Sequence, residues 1–260
     1  MNQNPKRQIR RNSRAKNYYW ASALIFAAAF VIYGIATETS GVLIFPSLSK
    51  IARAAVKSRE LLARGIASSL MLLLPSVSVS VLLGISAGAF VGLRGRLKLI
   101  LMPVFRALNP IPSTMLIPYA IALLPTFWLS SAAIITLGVF WPVLMSTLHG
   151  IAMLEPRWLD NARCLNLKGA KLVFRIILPG AMPQILSGIG SGLILSFILL
   201  TVAEIFGARS GLGYFVSYYA DFAEYDRVVA GMLVLSAVVT IIMLVFDRIQ
   251  ARVLHWTGKR

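Results

Sequence analysis

Long uncharged apolar runs alternate with short basic segments along the chain. A bilayer's hydrocarbon core is about 30 Å thick, so a helix needs about 20 residues to cross it. Runs of this length indicate helices, because the strands of a membrane barrel alternate over only about ten residues. The pattern predicts an all-α integral membrane protein with six transmembrane helices. These spans are expected at Tyr18–Ala36, Ile66–Leu93, Ala107–Leu124, Phe127–Leu148, Gln184–Ile205 and Val228–Phe246.

Composition supports a membrane protein and excludes several other classes. Of the 260 residues, 58% are hydrophobic and 13% are charged, whereas a soluble domain carries roughly a quarter charged residues. The mean hydropathy of +0.77 is too high for a water-facing surface or a disordered chain. A disulfide scaffold is excluded because Cys164 is the single cysteine, and this residue is expected to be a small packing side chain.

The distribution of charge predicts the orientation in the membrane. The chain has 26 Lys and Arg against 9 Asp and Glu, a net charge of +17. Most of the basic residues lie between apolar runs, which is typical of cytoplasmic loops and not of a nucleic-acid surface. The basic tail, residues 1–17, therefore predicts cytoplasmic N- and C-termini. The first apolar run exceeds the core of a signal peptide, so we expect an uncleaved anchor.

The predicted outer loop Thr37–Gly65 is basic, against the usual rule. Its positive residues are Lys50, Arg53, Lys57, Arg59 and Arg64. Apolar residues recur between them at helical spacing, which predicts an amphipathic helix lying on the membrane surface. The sequence supplies no reason for the positive charge of this segment.

The predicted cytoplasmic loop 155–183, between the fourth and fifth spans, reads EPRWLDNARCLNLKGAKLVFRIILPGAMP. Glu155-Pro156 is typical of a helix start, and Trp158, Ala162 and Leu165 fall on one face. The helix is expected to stop at Asn166, because Asn tolerates the left-handed conformation that ends helices. A second short helix is expected from about Lys168 to Leu178, ending before Pro179. Two such helices would form a rigid knob for a soluble partner.

This loop resembles the EAA loop of ABC importer permeases, in which Glu-Ala-Ala is followed by three residues, Gly, nine residues and Ile-x-Leu-Pro. Asp160-Asn161-Ala162 takes the first place, Asn166 the Gly place and Ile176-Ile177-Leu178-Pro179 the last, with the spacing intact. The stretch Thr201–Tyr214, with its glycines, is similar to the nitrate/sulfonate/taurine branch of these permeases. The resemblance covers roughly residue 66 to the C-terminus, with the permease core at about 66–247 within a membrane domain 18–260.

The resemblance implies a division of labour between subunits. ABC ATPase subunits would engage the loops of two permease copies, a homodimer, in the lipid of a bacterial inner membrane. An extracytoplasmic binding protein would deliver a small oxyanion, taurine or another sulfonate. The chain has no G-x-x-x-x-G-K-[ST] loop, so ATP is expected to be used by the partner, with no cofactor, metal or catalytic residue here. The implied ATPase-docking residues are Trp158, Asp160, Asn161, Ala162, Arg163, Leu165, Asn166, Leu178 and Pro179.

Two further groups of residues are candidates. Gly84, Gly88 and Gly92 recur every fourth residue and predict a smooth face for close helix packing. The alternative, a G-x-S-x-G hydrolase elbow around Ser86, would need a strand–turn–helix context. Glu204 lies near the outer end of the fifth span and is expected either to be functional or to pair with Arg209. The candidates for gating or for the periplasmic face are Glu204, Arg209, Gly211 and Gly213.

The scarcity of ionisable groups within the predicted spans separates two functions. A stand-alone secondary carrier usually relies on charged relays inside the membrane. The importer subunit is therefore the predicted function, and the secondary carrier is the alternative.

Overall fold

The computed structural model describes residues 45–257, and every regular element within that range is helical. The predicted all-α class is confirmed for this part of the chain. The predicted tail, residues 1–17, and the predicted first span, Tyr18–Ala36, lie outside it. The α-helices are α1 (Leu48–Lys57), α2 (Arg59–Gly92), α3 (Gly95–Leu108), α4 (Ile117–Leu123), α5 (Phe127–Ala152), α6 (Pro156–Cys164), α7 (Gly169–Leu172), α8 (Leu178–Gly207), α9 (Leu212–Asp221) and α10 (Tyr225–Val253).

Four continuous helical stretches between residues 45 and 257 are long and apolar enough to cross a membrane. These are α2, α5, the 39-residue stretch Gly169–Gly207, and α10. They contain the predicted fourth, fifth and sixth spans, and the predicted second span except for its last residue, Leu93. The helical pair Gly95–Leu108 and Ser113–Leu123 is a fifth candidate if it is counted as one span.

The predicted third span, Ala107–Leu124, is wrong as a single helix. The chain bends by 79° between α3 and the short helical segment that leads into α4. Pro110 and Pro112 lie in this break, where each lacks the N–H that a continuous helix needs. The prolines therefore separate α3 from the helical segment Ser113–Leu123, and the predicted span includes residues on both sides of this break.

The order of contacts along α5 shows how the broken pair runs. Near the end of α5, His149 and Lys98 line one cavity; further back, the rings of Trp141 and Phe105 are 6.0 Å apart. Ser130, near the start of α5, donates a hydrogen bond to the Ala120 carbonyl. The pair α3 and α4 therefore follows α5 along its length in the opposite direction.

The helix bundle has two ends, which we name after the short helices found there. The α6 end contains Gly92, Ala152 and Leu178, and the α9 end contains Arg59 and Gly207. Helix α5 runs from the α9 end to the α6 end, and α8 returns. These two helices form the centre of the bundle.

The core lies where α5 packs between α2 and α8. Ile135, Val139 and Val143 of α5 are fully buried there. The Ser80 hydroxyl of α2 donates to the Thr136 carbonyl of α5 at 2.7 Å, which satisfies a polar group inside the bundle. Apolar packing and a few cross-helix hydrogen bonds thus hold the centre together.

Helix α1 corresponds to the amphipathic helix predicted in the basic outer loop. Its apolar residues Ile51 and Ala54 are buried against Ala230 of α10. Helix α10 therefore covers this part of the apolar face, while Val56 of the same helix is 66% exposed. The position of α1 on the membrane surface stays a prediction. The positive residues lie on the remaining, exposed face.

The second loop helix, predicted to end before Pro179, continues into the span. Helix α7 passes through a π-helical turn, Val173–Ile177, directly into α8. In a regular α-helix the ring of Pro179 would collide with the carbonyl four residues earlier. A π-helical turn widens the backbone at that point. The loop therefore contains one separate helix, α6.

Candidate functional site

Helix α6 begins where the sequence predicts a helix start. Glu155 has extended backbone angles, and Pro156 is the first helical residue, where its missing N–H costs nothing. The Glu155 carboxylate forms an ion pair with Arg157. The local sequence thus defines the start of α6 independently of tertiary contacts.

The end of α6 is a Schellman motif centred on Asn166. Asn166 has φ of 51°, the left-handed conformation expected for it. The Leu167 N–H donates to the Ala162 carbonyl and the Asn166 N–H to the Arg163 carbonyl, both at 2.9 Å. Asn at the motif's Gly position therefore keeps a helix stop in place.

Two contacts hold α6 against the bundle. Ala162 is 1% exposed. The Trp158 ring lies over Gly180 near the start of α8, where an added Cβ would come within 3.2 Å of the ring. Gly180 was missed by sequence reasoning, although a Gly directly after Leu178-Pro179 indicates a close approach. The Trp158–Gly180 contact links α6 to α8.

The outer side of α6 leaves large apolar side chains exposed. The face predicted to contain Trp158, Ala162 and Leu165 is buried only at Ala162, and Trp158 is 41% exposed. Leu165 is 71% exposed, and Met153 and Phe174 are each 70% exposed. We call Met153, Trp158, Leu165 and Phe174 the α6 surface.

The polar residues of α6 also face outwards. Arg163 and Asp160 form an exposed ion pair at 2.9 Å, and Asn161 is exposed. Leu178 and Pro179 are half-buried at the start of α8. Cys164 is exposed, so its predicted packing role is wrong. Exposed apolar and charged side chains within one loop are typical of a segment that a partner protein covers.

The opposite end of the bundle contains a buried carboxylate. Glu204, near the end of α8, is 2% exposed. The Ser69 hydroxyl of α2 donates to its Oε1 at 2.6 Å, and the Gly213 N–H of α9 donates to its Oε2 at 2.7 Å. The Ser69 oxygen also accepts the Leu212 N–H at 3.0 Å. Glu204 therefore connects α2, α8 and α9.

The predicted ion pair of Glu204 with Arg209 is wrong. The first N–H groups of α9 have no partner within their helix, and they carry the positive end of its dipole. The Gly213 N–H and the Ser69 hydroxyl occupy the carboxylate, while Arg209 is exposed and lines a cavity on the outer side of the turn. The local helix start thus replaces the arginine as the partner.

Glycine is needed where the chain passes close to this carboxylate. Gly211 has φ of 129°, and an added Cβ there would lie 2.7 Å from Glu204 Oε2. A Cβ added at Gly213 would lie 3.0 Å from the same oxygen, Glu204 Oε2. A side chain at Gly211 would be strained by its backbone angle and would displace the carboxylate.

Gly84, Gly88 and Gly92 face α5 along the α6 half of α2. An added Cβ would lie 2.8 Å from Val143 at Gly84, 2.6 Å from Thr147 at Gly88, and 3.0 Å from Ile151 at Gly92. The three contacts repeat every four residues on both helices, so the backbones approach closely. Ser86 lies within this continuous helix and not at a turn, so the hydrolase alternative has no structural context.

Ser69 was also missed, although its spacing is a signal. Gly65, Ser69, Ser76, Ser80 and Gly84 are all buried small residues on one face of α2, and they continue the stripe of the later glycines. Within residues 45–257, no group of three His, Cys, Asp or Glu side chains could hold a metal ion.

The sequence matches a known transport family, and the fold resembles solved structures. Residues 80–257 match the family described as "Binding-protein-dependent transport system inner membrane component". The fold resembles a chain of the MetNI methionine ABC transporter in inward-facing conformations, with a TM-score of 0.64 and 18% identity, over 76% of this chain and 98% of that one.

Curated relatives agree with the predicted branch. The taurine transport system permease protein TauC of Escherichia coli is 30% identical over 194 residues, covering 75% of this chain and 70% of the relative. The putative aliphatic sulfonates transport permease protein SsuC of Bacillus subtilis is 27% identical over 235 residues, covering 88% and 85%. The chain belongs to the binding-protein-dependent inner membrane components, the permease subunits of ABC importers for small solutes.

Proposed function

We propose that this permease carries a small sulfonate or a related oxyanion inwards across the bacterial inner membrane. An extracytoplasmic binding protein delivers the solute, two copies of the chain form the pathway, and the α6 end faces the cytoplasm. ATP is bound and hydrolysed by separate ATPase subunits. The similarity to taurine and sulfonate permeases supports the solute class, and the α6 surface supports the ATPase contact.

The observation that carries the proposal is the exposure of apolar side chains on and beside α6, a helix that is packed against the start of α8. Ala162 and the Trp158–Gly180 contact fix the position of α6, while Leu165 and Phe174 are free to contact a partner. An ATPase that binds this surface differently in its open and closed states would shift the permease between two conformations. Such a differential contact is what alternating access requires.

No observation favours the stand-alone secondary carrier. Glu204 is the one buried charged residue among residues 45–257, and both of its carboxylate oxygens already accept hydrogen bonds. A carrier driven by an ion gradient needs a titratable or ion-binding group that is free to change partners. Family membership favours the ATP-driven importer in addition.

The single cysteine offers a direct test of the α6 contact. A membrane-impermeant maleimide should label exposed Cys164 in inside-out vesicles and not in right-side-out vesicles. Adding the cognate ATPase subunit should slow the labelling, because the bound subunit covers α6. Labelling from the outside, or labelling that the ATPase leaves unchanged, would contradict the proposal.

Two variants serve as controls for this experiment. In a Cys164→Ser background, Ser210→Cys at the α9 end should show the reverse sidedness, with no effect of the ATPase. Leu165→Ser should weaken ATPase binding, whereas Val56→Ser, an exposed apolar residue on α1, should not. Equal effects of these two substitutions would show that general surface hydrophobicity, and not the α6 surface, is responsible.

A further inference from the structure

A cavity at the α9 end combines positive charge with aromatic walls. Its volume is about 440 Å³, and it lies between the start of α2, the turn after α8, and α9. Arg64, Arg209, Tyr214 and Tyr218 are among the residues that line it. The volume is within the range of small-molecule sites, about 300–1,000 Å³.

The two arginines of this cavity have no acidic partner within residues 45–257, in contrast to the arginines that form ion pairs there. Arg227 pairs with Glu224 at 3.0 Å and lies over the Tyr219 ring at 4.5 Å. Arg163 pairs with Asp160 on α6. Arg64 and Arg209 are exposed and form neither an ion pair nor a side-chain hydrogen bond in the described part of the chain. Their charges are therefore available to a ligand.

The aromatic wall is a continuous group of rings on α9. The Tyr214 and Tyr218 ring centroids are 5.7 Å apart, and those of Tyr218 and Tyr219 are 5.2 Å apart. These rings offer apolar surface to the carbon atoms of a ligand, and phenolic hydroxyls to its polar atoms. Aromatic walls alone would also suit an organic cation. The two unpaired guanidinium groups make a cation unfavourable here.

We propose that this cavity is an anion-binding site at the outer mouth of the permease, which takes a small oxyanion with a short organic group, as in an alkylsulfonate. Guanidinium groups bind such head groups through several charge-assisted hydrogen bonds, and the tyrosines contact the carbon chain. The site would receive the solute before it enters the pathway. This inference rests on the proposed function and names the substrate group that the permease itself contacts.

The buried Glu204 side chain does not neutralise the arginines of this cavity. Gly211 lies between the cavity and the Glu204 carboxylate. The carboxylate keeps its own partners, Ser69 and Gly213, and therefore leaves the arginines unoccupied.

The inference can be tested by ligand-observed NMR on the complete permease–ATPase complex in nanodiscs, without the binding protein. Saturation transfer to the methyl protons of sodium ethanesulfonate should report contact with the tyrosines. Ethylammonium chloride at equal concentration should give no such transfer. The Arg64→Gln and Arg209→Gln substitutions should each raise the ethanesulfonate Kd by about tenfold, because each removes charge-assisted hydrogen bonds.

A matched control lies on the same helix. Arg59→Gln removes an exposed arginine one and a half turns before Arg64 that does not line the cavity, and it should leave the Kd unchanged. Arg209→Lys should restore part of the affinity by restoring the charge. Equal transfer to ethylammonium, or an ethanesulfonate Kd that is unchanged in Arg64→Gln and Arg209→Gln, would overturn the anion site.

Failure of the wider proposal would look different. If the wild-type complex does not assemble or does not couple ATP hydrolysis to uptake, the importer function fails, whatever the NMR shows. If assembly and uptake are normal but both glutamine variants bind ethanesulfonate like the wild type, only the anion site fails.

Discussion

Replacing Ser69 with Ala tests whether the buried Glu204 arrangement holds the α9 end together. The Ser69 hydroxyl donates to Glu204 at 2.6 Å and accepts the Leu212 N–H at 3.0 Å, and the residue is buried. The substitution removes one hydrogen bond to a carboxylate and leaves one buried N–H without its acceptor. It changes the volume of α2 very little.

The expected magnitude follows from these two losses. A hydrogen bond contributes about 0.5–1.5 kcal/mol between neutral groups and about 1.5–3 kcal/mol to a charged one, and an unsatisfied buried donor costs about 1–3 kcal/mol. Local relaxation recovers part of this sum, so we expect Ser69→Ala to lower the free energy of unfolding by about 2–4 kcal/mol.

Ser68→Ala is a control at the neighbouring position of the same helix. The Ser68 hydroxyl makes one hydrogen bond, at 2.7 Å, to the exposed Ser210. Water can replace that partner, so the loss should stay below about 0.5 kcal/mol. SDS titration in mixed micelles would measure both values. If the two variants unfold with free energies that agree within about 0.5 kcal/mol, Ser69 does not hold Glu204 as described.

Three further substitutions test other contacts. Gly211→Ala should lower the free energy of unfolding by about 2–4 kcal/mol, because its φ of 129° is strained for Ala and its Cβ would meet the buried carboxylate; a wild-type value in the same titration would contradict this. Gly88→Ala should cost about 1–3 kcal/mol through its clash with Thr147, whereas Gly95→Ala, with nothing within 4 Å, should cost nothing measurable. Asp160→Asn should change stability by less than about 1 kcal/mol, because its ion pair is exposed, yet should reduce uptake in proteoliposomes; full uptake would argue against ATPase docking at α6.

The sequence predicts most of the apolar helices because burial in a membrane imposes one simple pattern. A helix such as α10 must be apolar over its crossing length, whatever it packs against. The order of helices, the start of α6 at Pro156 and the left-handed Asn166 also follow from local chemistry. These features depend on residues within a few positions of one another.

The broken third span shows where local reasoning is insufficient. Pro110 and Pro112 indicate an interruption in the helical pattern. From the sequence, this interruption could mark either the start of a new helix or a break in the middle of a longer one. Only the contacts of Phe105 with Trp141 and of Ala120 with Ser130 show that helical segments on both sides of the prolines follow α5. The prediction that the second loop helix ends before Pro179 is wrong for a similar reason. A π-helical turn accommodates a proline that would otherwise end the helix.

The partner of Glu204 could not be predicted from the sequence for a different reason. Arg209 is five positions away and has the opposite charge, so it is the obvious local choice. Ser69 is 135 positions away, and the other donor is a backbone N–H that any residue could supply. The stripe of buried small residues on α2 was the available signal, but small residues indicate close packing and not a particular hydrogen bond.

The continuous stretch Gly169–Gly207 joins the α6 surface to the Glu204 arrangement. A movement of α6 could reach α8 through the π-helical turn Val173–Ile177. Such a turn interrupts the regular α-helical hydrogen bonds, so it would deform and take up part of the movement. Trp158 instead contacts Gly180, which lies beyond this turn within α8. Force from an ATPase at α6 would therefore enter the regular part of α8 directly. At the other end of that helix, Glu204 is hydrogen-bonded to α2 and α9, so a tilt of α8 must move the walls of the outer cavity or break those bonds.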